Sequence, residues 1–183
     1  MGIIVAITGA TGAIYGVRLL EFLKRLTIES HLVVSQWAME TLRLETAYSF
    51  AELQTLATHV YNNNELGAAI ASGSFKTAGM VIAPCSMKTL AAVSCGFSTN
   101  LILRAADVTV KEGRKLILVT RETPLSSIHL ENMLRLSRLG VVMMPPMPAF
   151  YNKPASIDDL VAQHAGRILD RLGIEHNFIQ RWQ

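Results

Sequence analysis

Apolar residues in this chain come in short blocks separated by longer amphipathic stretches. The blocks are Ile3–Thr8, His31–Ser35, Gly79–Ala83, Leu116–Thr120 and Val141–Met144. They are mostly aliphatic or β-branched, and most lack in–out alternation, as strands buried on both faces of a parallel sheet do. The stretches between them repeat apolar residues at helical spacing: Gly12–Leu26, Trp37–Leu44, Ser86–Val93, Asn100–Glu112, Ser127–Leu139 and Ser156–Leu172. Strands alternating with helices predict an α/β fold. It is a Rossmann-like (flavodoxin-like) doubly wound parallel sheet sandwiched by helices, with right-handed crossovers. Ser49–Thr77 breaks the rhythm. A short helix is expected near Phe50–Ala57, then an irregular region marked by Asn62-Asn63-Asn64 and Ser72-Gly73-Ser74. Neither a repeat nor a linker divides the chain, so residues 1–183 are expected to form one domain.

Sheets of this kind bind ligands at the carboxyl ends of their strands. The first strand ends in Gly9-Ala10-Thr11-Gly12, and a helical pattern follows at once. Strand, glycine turn and helix N-terminus together can cradle a phosphate, because free N–H groups and the helix dipole face the anion. A nucleotide-like ligand is expected. The spacing G-x-x-G-x-x-x-G differs from G-x-G-x-x-G, and no acid follows the second strand to hold a ribose, so NAD is disfavoured. Ser35 ends the second strand as a helix cap, a ligand contact, or both. The third block runs into Pro84-Cys85-Ser86-Met87-Lys88-Thr89, where Ser86 caps another helix and offers a second anion site. Cys85 reads as a small core residue. Arg104 and Lys111 lie two turns apart on one helix face. On spacing alone they belong to a solvated face, with Asp107 as an ion-pair partner. Arg121-Glu122-Thr123-Pro124 places an ionisable pair at a strand end, and Pro145, Pro146 and Pro148 stiffen the approach to Tyr151. Arg167 stands among Ile168, Leu169 and Leu172 and either leans on the core or snorkels.

Composition narrows the setting. Half of the residues are apolar and 17% are charged, so part of the surface is expected to be covered by other subunits. No apolar run approaches the roughly 20 residues that span a bilayer, and the start lacks the pattern of a signal peptide. A cytoplasmic protein is the expectation. A net charge of +3 with scattered Lys and Arg gives no nucleic-acid footprint. Cys85 and Cys95 match no disulfide framework or zinc spacing. His31, His59, His129, His164 and His176 are read as structural or exposed.

Several segments occur together in one order. They are T-G-A-T-G-A-I-Y-G from Thr8, A-S-G-S at Ala71–Ser74 and P-C-S-x-K-T-L at Pro84–Leu90. N-L-I-L-R-A-A-D-V with the later Lys111 follows, then R-E-T-P with S-I-H-L-E-N-M-L, P-A-F-Y, and the terminal Arg181-Trp182. In these the chain resembles, end to end, the UbiX family of flavin prenyltransferases, which includes the B subunits associated with hydroxyarylic (phenolic) acid decarboxylases. The resemblance implies transfer of a dimethylallyl group from dimethylallyl monophosphate to N5 and C6 of reduced FMN. The product, prenylated FMN, would serve a UbiD-type decarboxylase. No metal is implied.

Carried over by position, Gly9, Ala10, Thr11, Ser35, Ser86, Met87, Lys88, Thr89 and Arg121 would hold FMN. Tyr151 and Arg167 would hold the prenyl phosphate, with Lys111 and Arg104 nearby. Glu122 would handle a proton at the flavin edge, Glu45 would assist near the mouth, and Thr11 would face the reactive edge. Trp182 would close the site. The resemblance further implies a homo-oligomer built of trimers, commonly a dodecamer, with the segment from about 173 to 183 packed on a neighbouring subunit. Leu66-Gly67 replaces an aromatic that many relatives carry ahead of A-S-G-S, which alters the wall beside the prenyl group. Two rival enzyme classes lack their marks here. Pro148-Ala149 follows Pro146-Met147 where flavin-dependent cysteine-type decarboxylases carry P-x-M-N-x-x-M-W. No Tyr has a Lys four residues on, as short-chain reductases require. A flavin-carrying subunit without catalysis stays open.

Overall fold

A computed structural model describes residues 1–182. The chain runs β1 (Ile3–Ile7), α1 (Ala13–Arg25), β2 (Ser30–Val34), α2 (Gln36–Glu45), α3 (Phe50–Leu56), β3 (His59–Asn62), β4 (Gly79–Cys85), α4 (Met87–Ser94), α5 (Leu101–Lys111), β5 (Lys115–Thr120), α6 (Ser127–Arg138), β6 (Val142–Met143) and α7 (Ile157–Leu172). All six strands are parallel, in the order β3-β2-β1-β4-β5-β6. This is the Rossmann order, and its switch point lies between β1 and β4.

Alternate residues of each strand feed two cores, as the period of two requires. Val5, Ile7, Leu32, Val81 and Val119 meet α1, α2, α3 and α7 on one face. Ile4, Ala6, Val33, Ile82 and Leu118 meet α4, α5 and α6 on the other. Helices α5 and α7 therefore lie in opposite layers.

The glycine turn has two separate reasons for its residues. Gly12 caps α1 with φ of 99°, a left-handed conformation that side chains resist. Gly16 lets α1 approach the sheet: a Cβ there would come within 2.4 Å of the Ala83 carbonyl oxygen.

Two features differ from the sequence reading. Strand β3 was expected to be irregular. It is an edge strand whose residues are mostly exposed, so it has no buried apolar run to mark it. Strand β4 continues through Pro84 to Cys85, because its register with β5 shifts between Ile82 and Cys85 and the missing N–H falls at the irregularity. The segment after α7 makes contacts within its own chain, while Trp182 near its end stays exposed. Phe178 stacks on Phe22 at 4.2 Å, and Ile179 lies against Gly166. Arg181 grips both carboxylate oxygens of Asp170 at 2.8 Å, and His176 bonds the Gly166 carbonyl. Gln183 lies outside the described residues.

Candidate active site

The carboxyl ends of β1, β2 and β4 open into a cleft of about 1340 Å³. Gly9, Ser35, Ser86, Lys88 and Thr89 line it, joined by Thr8. Ser35 caps α2 by accepting from Ala38 N at 3.2 Å, and Ser86 caps α4 by accepting from Thr89 N at 3.3 Å. Each hydroxyl can cap its helix and still donate its own proton to a ligand. Two helix N-termini thus face one cleft, with the amine of Lys88 beside them. This donor set suits a phosphate-bearing ligand such as FMN.

The first turn behaves differently from its sequence reading. Gly12 N and Ala13 N donate to Glu45 Oε2 at 2.7 and 3.4 Å. The anion at the N-terminus of α1 is therefore the chain's own carboxylate, and the free helix N-termini of the cleft belong to α2 and α4. Glu45 sits at the end of α2, so it ties that helix to the glycine turn. Thr11 is exposed beside it and Ala10 is half-buried; neither lines the cleft. Met87 packs partly into the core of the opposite layer.

Thr8 was not singled out by sequence, yet it fixes the cleft floor. Its Oγ1 donates to the Pro84 carbonyl at 2.8 Å and accepts from Ser86 N at 2.9 Å. Thr8→Val is expected to lower stability by about 1–3 kcal/mol, since Ser86 N loses a buried partner. The same change should weaken FMN binding by displacing Ser86. Urea denaturation and flavin titration check both effects.

A second, smaller cavity of about 210 Å³ opens after β6. Tyr151, Gln163, His164 and Arg167 line it with Met144 and Pro145. The Tyr151 hydroxyl accepts from Gln163 Nε2 at 2.6 Å, and its ring meets Trp182 edge-on at 5.5 Å. Trp182 is thus placed over Tyr151 of its own chain. Arg167 is exposed, and its guanidinium stands 3.7 Å from Asp170, whose carboxylate is already shared with Arg181 and His176. Most of its fork remains available to an anion. Gln163 lies one turn before Arg167, and that spacing is the only sequence signal for it.

His164 is buried here, and its Nε2 has no partner among the described residues. Burial first, and Arg167 second, push its pKa down to about 4. The folded chain therefore keeps it neutral where the unfolded chain protonates it near 6.5. The stability it contributes is complete above about pH 6.5 and is lost as pH falls towards 4, by up to about 3 kcal/mol. Buried His31 is shifted in the same direction, with desolvation the largest cause. Denaturation of wild type and His164→Asn across this window should show a shallower acid dependence in the variant.

Tyr15 of α1 packs beside the smaller cavity. Its ring meets His164 at 5.1 Å, edge-on. Burial raises the Tyr15 pKa, and the nearby Arg121 charge opposes that. Arg121 N in turn donates to the Cys85 carbonyl, beside Ser86. Arg121 and Glu122 are exposed at the end of β5, and Glu122 Oε1 accepts from Thr123 N at 3.0 Å. Burial raises the Cys85 thiol, so it stays unreactive in the core as expected.

Lys111 and Arg104 are not near Tyr151 and Arg167 within one chain. They belong to α5, across the sheet from α7. Arg104 donates to the Ala71 carbonyl at 3.2 Å and pairs with Asp107 at 3.0 Å. Lys111 pairs with Glu112 beside Gly73, at the far end of α5. Leu66 is exposed and Gly67 has open space around it, so neither walls a cavity in this chain.

A family model described as Flavoprotein matches residues 1–169. The flavin prenyltransferase LpdB of Lactiplantibacillus plantarum is 57% identical over 182 residues, covering 99% of this chain and 97% of that protein. The chain belongs to the UbiX-like flavin prenyltransferases. It is an α/β flavoprotein and a prenyltransferase by that membership. Two solved relatives superpose throughout with a TM-score of 0.98. One is a dodecameric FMN-dependent UbiX-like decarboxylase from Escherichia coli O157:H7, 55% identical, covering 100% of both chains. The other is AnUbiX (PadA1) in complex with FMN and dimethylallyl pyrophosphate, 51% identical, covering 99% of this chain and 96% of that one. No described helix in this prenyltransferase is long and apolar enough to cross a membrane.

Proposed function

We propose that this chain joins a dimethylallyl group, carried by dimethylallyl monophosphate, to N5 and C6 of reduced FMN, and that the prenylated flavin supplies a UbiD-type aromatic acid decarboxylase. The observation that carries this reading is the pairing of two cavities at one end of the sheet. One is lined by hydroxyls and two helix N-termini; the other holds Arg167, Tyr151 and Gln163. A dinucleotide's linked phosphates need one anion-binding set, whereas two separate phosphorylated substrates need two.

The chemistry assigns work to each. Cleavage of an allylic C–O bond leaves negative charge on phosphate, and the fixed Arg167 fork meets that charge in bidentate geometry. The Tyr151 hydroxyl accepts from Gln163 and can donate its own proton to the phosphate. Apolar Met144 and Pro145 keep water from the cation-like carbon. The first bond, at N5, would form as the C–O bond breaks and N5 gives up its proton. The second, at C6, would need the remaining alkene to take up one proton before C6 gives up its own, and Glu122 or the departing phosphate would accept and return these protons.

We further infer that the chain works as a homo-oligomer. Leu130 and Leu134, one turn apart, form an exposed apolar strip on α6, and Ile128, Trp37, Phe97 and Phe150 are exposed as well. In an oligomer the Lys111 and Arg104 of one copy can complete the phosphate site of another. On this reading, mixed oligomers of Lys111→Ala and Arg167→Ala chains are well above either variant alone in activity. Mixtures as inactive as their parents would place Lys111 outside the site.

The reading is tested by phosphate release under anaerobic conditions. One phosphate should appear per reduced FMN consumed, and none without flavin. The competing reading is an FMN-binding decarboxylase or a non-catalytic flavin carrier. It predicts bound FMN with no phosphate release.

A further inference from the structure

The register of the edge strand brings together residues that lie far apart in sequence. His31 of β2 pairs with His59 of β3, so both imidazoles stand on one face. Glu29 and Tyr61 lie two residues from them and share that face. Glu29, His31 and His59 sit at the amino ends of the strands, and Tyr61 stands between them and the flavin cleft, whose wall it joins. Glu29 Oε1 lies 3.1 Å from His59 Nε2 and 3.6 Å from His31 Nε2, and the three ligand atoms all fall within 4.8 Å of one another.

We propose that Glu29, His31 and His59 bind one divalent cation of the zinc class, with water in the remaining position. Two imidazoles and a carboxylate form a known zinc ligand set, and ligand distances of roughly 2.0–2.2 Å bring such atoms to the separations seen here after small rotamer shifts. His59 and Glu29 are exposed and free to make those shifts. His31 is buried and fixed. Its Nδ1 lies 3.1 Å from the Tyr61 hydroxyl, and the Phe75 ring meets it edge-on at 5.3 Å. With Nδ1–H donating to Tyr61, the Nε2 lone pair faces Glu29, the outer-shell arrangement typical of a ligating histidine. Gly2 keeps this space open: a Cβ there would come within 2.6 Å of His31 Nε2 and 3.2 Å of Glu29 Cγ. An ion held here cross-links the edge strand β3 to β2 without using a residue that lines the flavin cleft as a ligand.

The test uses the full chain, stripped with chelator and titrated with Co(II) and then Zn(II). The visible d–d bands should report one Co(II) per chain, displaced by Zn(II), and Zn(II) should raise Tm. Glu29→Gln and His59→Ala alter exposed side chains. Each should abolish the bands and the Tm shift while leaving flavin prenylation unchanged. Absence of bands and of a Tm shift in wild type would overturn the proposal, leaving Glu29–His59 as a plain ion pair. One-equivalent binding that survives in the double variant would overturn it too.

Discussion

Glu122→Gln is expected to retain FMN affinity and to lose turnover by about 10²–10⁴-fold, the usual contribution of a positioned proton-transfer group. Glutamine keeps the shape of the side chain and an acceptor oxygen for Thr123 N, so the turn ahead of Pro124 should persist. It cannot take up a proton, so only that step is removed. The hydroxyl cleft contains no atom of Glu122, which is why flavin affinity is spared. Single-turnover kinetics with reduced FMN and the prenyl phosphate measure the loss. Unchanged turnover would remove Glu122 from the reaction and leave the departing phosphate as the base.

Arg167→Ala should lower kcat/KM for the prenyl phosphate by about 100-fold, near 3 kcal/mol, by analogy with loss of one donor to a developing oxyanion. Arg167→Lys should recover part of this, since an ammonium carries the charge without the planar fork. The helix should tolerate both changes. Arg167 is exposed, and Asp170 keeps its bonds to Arg181 and His176. FMN affinity should stay at the wild-type value, because Arg167 lines the smaller cavity only. An equal loss of flavin and prenyl phosphate binding would mean that Arg167 acts on the site as a whole.

How far the sequence revealed this site depended on how local its signals were. The four buried strands, the short edge strand β6 and the serine caps at Ser35 and Ser86 were legible, because each rests on a few neighbouring residues. Strand β3 was not, since an exposed edge strand carries no buried run. The partner of Gly12 was also hidden. An acid 33 residues away, Glu45, fills the helix terminus that the motif alone assigns to a phosphate. The histidines show the same limit twice. His164 is buried into a ligand cavity by tertiary packing, and His31 meets His59 only through strand register. Lys111 and Arg167 looked like members of one set, and a sheet separates them. Spacing places residues on a helix face, but the layer in which that helix lies follows from the crossovers.

The most direct measurement of the central claim is the mass of the flavin after reaction. Purified protein is mixed with reduced FMN and dimethylallyl monophosphate without oxygen, and the flavin is extracted for mass spectrometry. The account predicts FMN enlarged by one five-carbon unit, formed only when both substrates are present. Unmodified FMN, still bound to the protein, would contradict it.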